Sequence, residues 1–412
     1  MDISPPPKSE TDSAAAAKTR RSALLGAIFL MATSAIGPGF ITQTTKFTVE
    51  IGAAFAFAIV VSILVDIAVQ LNVWRVIGVA GRRAHELAAE VLPGAGYLLT
   101  ALVVLGGFVF NIGNVAGTGL GLDALAGLDP RLGGAVSALL AIAIFLTKSA
   151  GVALDRIVIV LGIFMMGLTA YVAIVSGPPL GEALRNAVAP EDVSFSTMAL
   201  VITTLVGGTV GGYITYAGAH RLLDTGTTGP ENVAQISRSS VTGILVTGVM
   251  RVLLFLAIFG VVAAGTTLAE DNPAASAFES AAGEVGLRLF GLILWAAAIT
   301  SVIGASYTSV SFLTTSRTSE RTRNMLTVGF IAICTVVYLI VKETPVRLLV
   351  FAGAFNGLIL PIGFTIILWV ALRRRDLLGG YRYPVWLLVI GILAWALTLY
   401  LGYSALEGLE DL

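Results

Sequence analysis

The chain has 412 residues, of which 56% are hydrophobic and 12% charged. With a mean hydropathy of +0.91, it is too apolar for a soluble protein and fits a polytopic membrane protein. Zero net charge gives no footprint for nucleic acid. The single cysteine, Cys334, excludes a disulfide framework or a zinc–cysteine site within one chain, and two histidines, His85 and His220, exclude a histidine-rich metal centre.

Residues 1–19 are polar and rich in Pro and Ala, without the apolar core of a secretory signal, and read as a disordered cytoplasmic tail. Residues 20–412 then read as a single transmembrane domain. Its eleven apolar segments lie near 22–47, 50–76, 95–122, 133–150, 154–176, 197–219, 239–265, 286–314, 324–342, 346–372 and 384–405. The tail and alternate loops carry 18 of the 25 Lys and Arg, against 5 on the other side, with Lys46 and Arg251 inside segments. That bias predicts a cytoplasmic N-terminus, and the odd number of segments puts the C-terminus outside, in a plasma (inner) membrane.

Segment 1 contains Gly37-Pro38-Gly39, which cannot hold a continuous helix. Segment 6 contains Gly207-Gly208-Thr209-Val210-Gly211-Gly212-Tyr213, with four glycines in six residues. Freed backbone groups are tolerated inside a bilayer only where they face protein or a water-filled cavity. Two interrupted segments five apart predict a five-plus-five inverted repeat, about 22–176 and 197–372, with an extra helix at 384–405 and a binding site at the breaks. Gly113, Gly117 and Gly121 in segment 3, spaced by four, read instead as a close helix contact.

These residues resemble a known family. Asn111-Ile112-Gly113-Asn114-Val115-Ala116-Gly117-Thr118 is similar to the D-L-A-E-V-I-G-T stretch of NRAMP transporters. Val206-Gly207-Gly208-Thr209-Val210-Gly211-Gly212-Tyr213 is similar to their V-G-A-T-V-M-P-H, Tyr216 falls on a family tyrosine, and Leu360-Pro361 on the end of L-Q-L-P. The resemblance spans all eleven segments and implies an all-α LeuT fold with broken helices 1 and 6. It also exposes departures. The family's D-P-G-N is Gly37-Pro38-Gly39-Phe40, so Gly37 and Phe40 replace a metal-binding Asp and Asn. Gly211 replaces a metal-binding Met, with Gly212 and Tyr213 for the adjoining Pro and His. Asn111 and Asn114 replace an acidic pair linked to proton movement, and Gly353 a glutamine ligand. Gly37-Pro38-Gly39 is also similar to the G-S-G break by which amino-acid transporters of this fold hold a substrate carboxylate. The chain resembles a divergent branch that keeps the scaffold and has lost the metal ligands.

The side chains at the breaks agree with that. Thr42, Gln43, Thr44, Thr209 and Tyr213 supply no carboxylate, and a divalent cation stripped of water needs anionic or soft ligands. Free N–H groups at the starts of half-helices instead suit an anion or a carboxylate. Lys46 has the same sign but also reads as an interfacial lysine at a segment end. Phe40, Tyr213 and Tyr216 can wall an organic solute or simply pack, and Asn111 and Asn114 can line a cavity or bond between helices. Asp66 and Arg251 lie about 14 and 18 Å inside segments 2 and 7, where buried charges usually pair. Either a structural pair or a proton-linked gate fits them. His220 and Asp224 at the end of segment 6 read as coupling groups or, more simply, surface polar residues. Thr308 and Ser309 in segment 8, with carbonyls near Ala35 and Ile36, are a candidate Na⁺ site.

The predicted protein is a secondary transporter with no cofactor, no catalytic constellation and no bound metal centre. It imports a small carboxylate, zwitterion or other small anion coupled to H⁺ or Na⁺. Divalent metal transport through a rebuilt site is the alternative. The expected substrate residues are Gly37, Gly39, Phe40, Gln43, Asn111, Asn114, Thr209, Gly211, Gly212, Tyr213 and Tyr216. Asp66, Arg251, His220, Thr308 and Ser309 are the expected coupling or gating groups.

Overall fold

The protein is described here from a computed structural model covering residues 37–147, 150–314 and 318–406, without the side chains of 150–159 and 221. The N-terminal tail, the first half of segment 1 and the Ala35–Ile36 carbonyls lie outside the described residues. All regular structure among them is helical: α1 (Pro38–Ile51), α2 (Phe55–Ala80), α3 (Ala84–Val91), α4 (Ala95–Ala126), α5 (Pro130–Leu146), α6 (Ala150–Val175), α7 (Leu180–Asn186), α8 (Phe195–Thr209), α9 (Ile214–Asp224), α10 (Val233–Ala263), α11 (Pro273–Leu313), α12 (Glu320–Ile340), α13 (Pro345–Arg373) and α14 (Val385–Ala405). Each of the eleven expected segments falls on a helix, the sixth on the pair α8 and α9. By length and hydropathy alone, eight described stretches can cross a membrane, one of them running from Pro38 to Ala80.

Local chemistry sets the helix ends. Pro38, Pro130 and Pro345 sit at the first helical positions, where a missing N–H costs nothing. Asp129, Ser194, Asn272, Ser319 and Thr344 cap the helices that follow them with side-chain oxygens. Gly81 and Gly127 end α2 and α4 in the left-handed conformation. Segment 8 was expected to begin near residue 286, but helix starts at Pro273; Gly283, at φ 65° and ψ −165°, interrupts it and separates an outer piece from the span.

The scaffold is built on α4 and α11. A Cβ on Gly121 would lie 2.5 Å from the Trp295 backbone nitrogen, so these two backbones touch where only glycine fits. Gly117 meets the Pro38 ring in the same way, which sets α4 directly against the start of α1, and Gly113 faces Leu349 of α13. The close-contact reading of this glycine series therefore describes its packing. Polar groups here bond within the scaffold: Trp295 Nε1 donates to Ser137 Oγ (2.9 Å), Asn272 Nδ2 to the Leu120 carbonyl (3.2 Å) and Tyr338 OH to the Pro130 carbonyl (3.0 Å).

Candidate functional site

Helix α1 begins at the expected break. Gly37 is extended, and the first intrahelical bond runs from Ile41 N–H to the Gly37 carbonyl at 3.3 Å. The Gly39 and Phe40 N–H groups therefore have no acceptor within the helix. Segment 6 breaks as well. Helix α8 stops at Thr209, Val210–Tyr213 are not helical, and α9 starts at Ile214. Gly212 takes φ +47°, a conformation that glycine adopts freely, and donates its N–H to the Asn356 carbonyl of α13 at 3.1 Å.

Arg251 of α10 joins the two breaks. Its guanidinium stacks over the Phe40 ring, 4.6 Å from the centroid. Its Nη2 donates to Thr209 Oγ1 at 2.9 Å and its Nη1 to Ser62 Oγ at 3.4 Å. Asp66 of α2 lies within electrostatic reach of Arg251, and both are fully buried. The two make no direct ion pair, and neither Asp66 oxygen accepts a hydrogen bond within the chain. The expected pairing is thus a coulombic one without direct contact, since the Thr209 hydroxyl accepts from Arg251 and donates to the Leu205 carbonyl at 2.8 Å, and Arg251 stands at the breaks beside two of the expected substrate residues.

Around this charge the walls are aromatic and amide. Phe110 of α4 reaches both breaks, 3.6 Å from a Cβ position on Gly39 and 5.5 Å in ring centroid from Tyr213. Gln43 crosses from α1 to α13, where its Nε2 donates to the Leu349 carbonyl at 3.0 Å. Its amide lies between Gly208 and Gly353, the glycine that stands for the family's glutamine. Asn356, one turn beyond Gly353, donates to the Gly106 and Ala352 carbonyls at 3.1 and 2.9 Å and faces Gly212. Gly211 is packed against Gly207 and the Asn356 carbonyl.

Several expected residues lie elsewhere. Asn111 donates to Ser306 Oγ at 2.9 Å and borders Cys334, so it bonds α4 to α11 rather than facing the breaks. Asn114 is buried with no hydrogen bond to its amide. Tyr216 is buried beside Gly363. Ser309 packs against Gly107, and its neighbour Thr308 is half-buried. His220 is not a surface residue. It is buried at the end of α9, stacked 4.4 Å from Phe312, and accepts from the Ala84 N–H at 3.4 Å. Asp224 is exposed, and Lys46 pairs with Glu50 at the partly exposed end of α1.

Sequence reasoning missed Phe110 and Asn356. Asn356 carried a signal, since it is an amide inside an apolar segment, one turn from a substituted ligand position. Phe110 carried none.

This arrangement can be set beside known proteins. The Nramp model, described as "Natural resistance-associated macrophage protein-like", matches residues 28–406. The chain belongs to the Nramp family. It is 51% identical to an uncharacterized membrane protein of Bacillus subtilis, YcsG, over 93% of this chain and 94% of that one. An uncharacterized membrane protein of Haemophilus influenzae is 52% identical, over 90% and 92%. Among solved structures, a manganese transporter of Eremococcus coleocola, bound to an aromatic bis-isothiourea compound, superposes with TM-score 0.70 and 17% identity, over 98% of this chain and 89% of that one. MhsT in complex with L-phenylalanine gives 0.68 and 19%, over 92% and 98%. At these identities the likeness is one of fold. The Nramp chain is an all-α membrane protein with the LeuT fold, as its broken segments implied. Among the described residues, no group of three or more His, Cys, Asp or Glu is placed to hold a metal ion.

Proposed function

We propose that this Nramp-family membrane transporter imports a small carboxylate, zwitterion or other small anion, coupled to H⁺ or Na⁺, through a site between the breaks of α1 and of α8 and α9. The observation that carries this reading is the buried guanidinium of Arg251, held over Phe40 and on Thr209. A fixed cation there repels a bare divalent ion and attracts a carboxylate, which a guanidinium holds through two parallel hydrogen bonds. The Gly39 and Phe40 N–H groups at the start of α1 add donors of the same sign. Asp66 supports a coupling role. It balances Arg251 when no anion is present, and a substrate carboxylate competes with it for that charge. The 18-to-5 charge bias supports a cytoplasmic N-terminus, and the spacing of the breaks supports an inverted repeat.

Divalent metal transport is the second reading, and the manganese transporter among the structural neighbours favours it. Against it stand Gly37, Phe40 and Gly211 where the family's ligands would be. Calorimetry and uptake by reconstituted protein decide between the two. The proposal expects saturable uptake of a small carboxylate and no saturable Mn²⁺ uptake. Micromolar Mn²⁺ binding that Gln43→Ala or Thr209→Ala removes would establish the metal reading instead.

A further inference from the structure

Arg251 accounts for a negative group on the substrate and leaves two carboxamides at the same breaks without a purpose. Gln43 is fully buried, and its Nε2 is committed to the Leu349 carbonyl. Its Oε1 accepts no hydrogen bond within the chain and lies 2.5 Å from a Cβ position on Gly208. Asn356 is also fully buried, and its Nδ2 is committed to the Gly106 and Ala352 carbonyls. Its Oδ1 is likewise without a donor and is directed at Gly212.

The carbonyl partners decide which way each amide points. Flipping either one would set an oxygen against an oxygen and lose the bonds already made. The unmet atom is therefore an acceptor in both cases. Buried acceptors are rarely left without a donor in a membrane interior, because no bulk water is there to serve them. All three groups border the break of segment 6. Thr209 holds the guanidinium, its neighbour Gly208 faces the Gln43 oxygen, and Gly212, four residues beyond Gly208, faces the Asn356 oxygen.

We infer that the substrate is a small carboxylate that also carries an N–H or O–H donor close to the carboxylate, received by Gln43 Oε1, with Asn356 Oδ1 placed for a second donor where the substrate has one, as an ammonium does. The inference rests on the reading of Arg251 as the carboxylate's partner. It selects hydroxy acids and acids with an N–H group, and it rejects plain aliphatic acids and inorganic anions. Glycine at 208, 212 and 353 is what leaves the amides room, since a side chain at any of them would occupy the amide's place.

Matched pairs test it on the purified full-length protein by calorimetry. The probes are 2-hydroxypropionate and alanine against propionate, proline against cyclopentanecarboxylate, and MnCl₂. A donor matched to a buried acceptor is expected to tighten binding by at least about tenfold within a pair. Gln43→Met keeps the side chain's length but removes the acceptor, and it should bring that ratio towards one. Equal affinities within the pairs overturn the donor requirement and leave the carboxylate reading standing. If no carboxylate binds, the reading of Arg251 falls with it. Mn²⁺ binding that Gln43→Met removes assigns the amide oxygens to a cation and overturns both. Should Gln43→Met fail to fold, the ratios of the unaltered protein decide the question.

Discussion

Two parts of the membrane core treat their polar groups in opposite ways. Where α4 meets α11, the backbones touch through Gly121, and Trp295, Asn272 and Tyr338 spend their donors on neighbouring acceptors. At the breaks, Gln43, Asn356 and Asp66 are as deeply buried yet keep acceptor oxygens unused, beside a guanidinium. A buried polar group without a partner is costly; α4 carries one of its own in Asn114, and what sets the breaks apart is that theirs occur together with a buried guanidinium. On the proposed function, the first region holds the scaffold together and the second receives the substrate.

The sharpest way to break this comparison is to remove one of the two buried charges. Arg251→Gln leaves Asp66 uncompensated, and Asp66→Asn does the reverse. Each should cost about 3–5 kcal/mol, while the double change costs less than the sum. Melting temperatures of the three variants check this, and strictly additive losses would show that Asp66 and Arg251 are not coupled.

A smaller effect separates the two regions by one and the same substitution. Gly121→Ala drives a methyl group into the Trp295 backbone and should cost about 1–3 kcal/mol of overpacking. At Gly39 the nearest atoms to a Cβ are 3.5 Å or more away. Gly39→Ala should therefore leave the melting temperature almost unchanged, and if it lowers binding it does so at the site alone. Equal losses of stability at both positions would erase the distinction.

Trp295→Phe removes the bond to Ser137 and part of the ring that packs beside it. It should cost about 0.5–1.5 kcal/mol in thermal unfolding and leave substrate affinity unmoved.

The smallest expected effect lies outside both regions, in α3. Burial, with Arg83 acting in the same direction and Glu86 against it, holds His85 below its ordinary pKa of 6.5. The unfolded chain then binds the extra proton first. The stability that His85 contributes is whole above about pH 6.5 and declines as the pH falls from there towards its folded value. His85→Gln should flatten that part of the pH–stability curve, and an unchanged slope would remove His85 as its source.

Much of this was legible along the chain. Apolar length and the glycine and proline interruptions are one-dimensional signals, so the eleven helices and both breaks were readable. The residues at the breaks, Gly37, Phe40 and Gly211 among them, were readable too, because a broken helix presents its own residues there. Asn111 kept two readings, cavity or bond between helices, because helical spacing says which residues share a face but not which neighbour that face meets. The same limit hid Phe110, and the burial of His220.

The sequence by itself determined the solvent of this protein, its helices, their interruptions and the chemistry missing from them, since each follows from the composition of a single stretch. Only the tertiary structure decided what stands in the place of that chemistry. Arg251, Thr209 and Asp66 come from segments 7, 6 and 2, and Gln43 and Asn356 from segments 1 and 10. Their meeting depends on how glycine contacts let whole helices approach, and no local pattern in the chain encodes that distance.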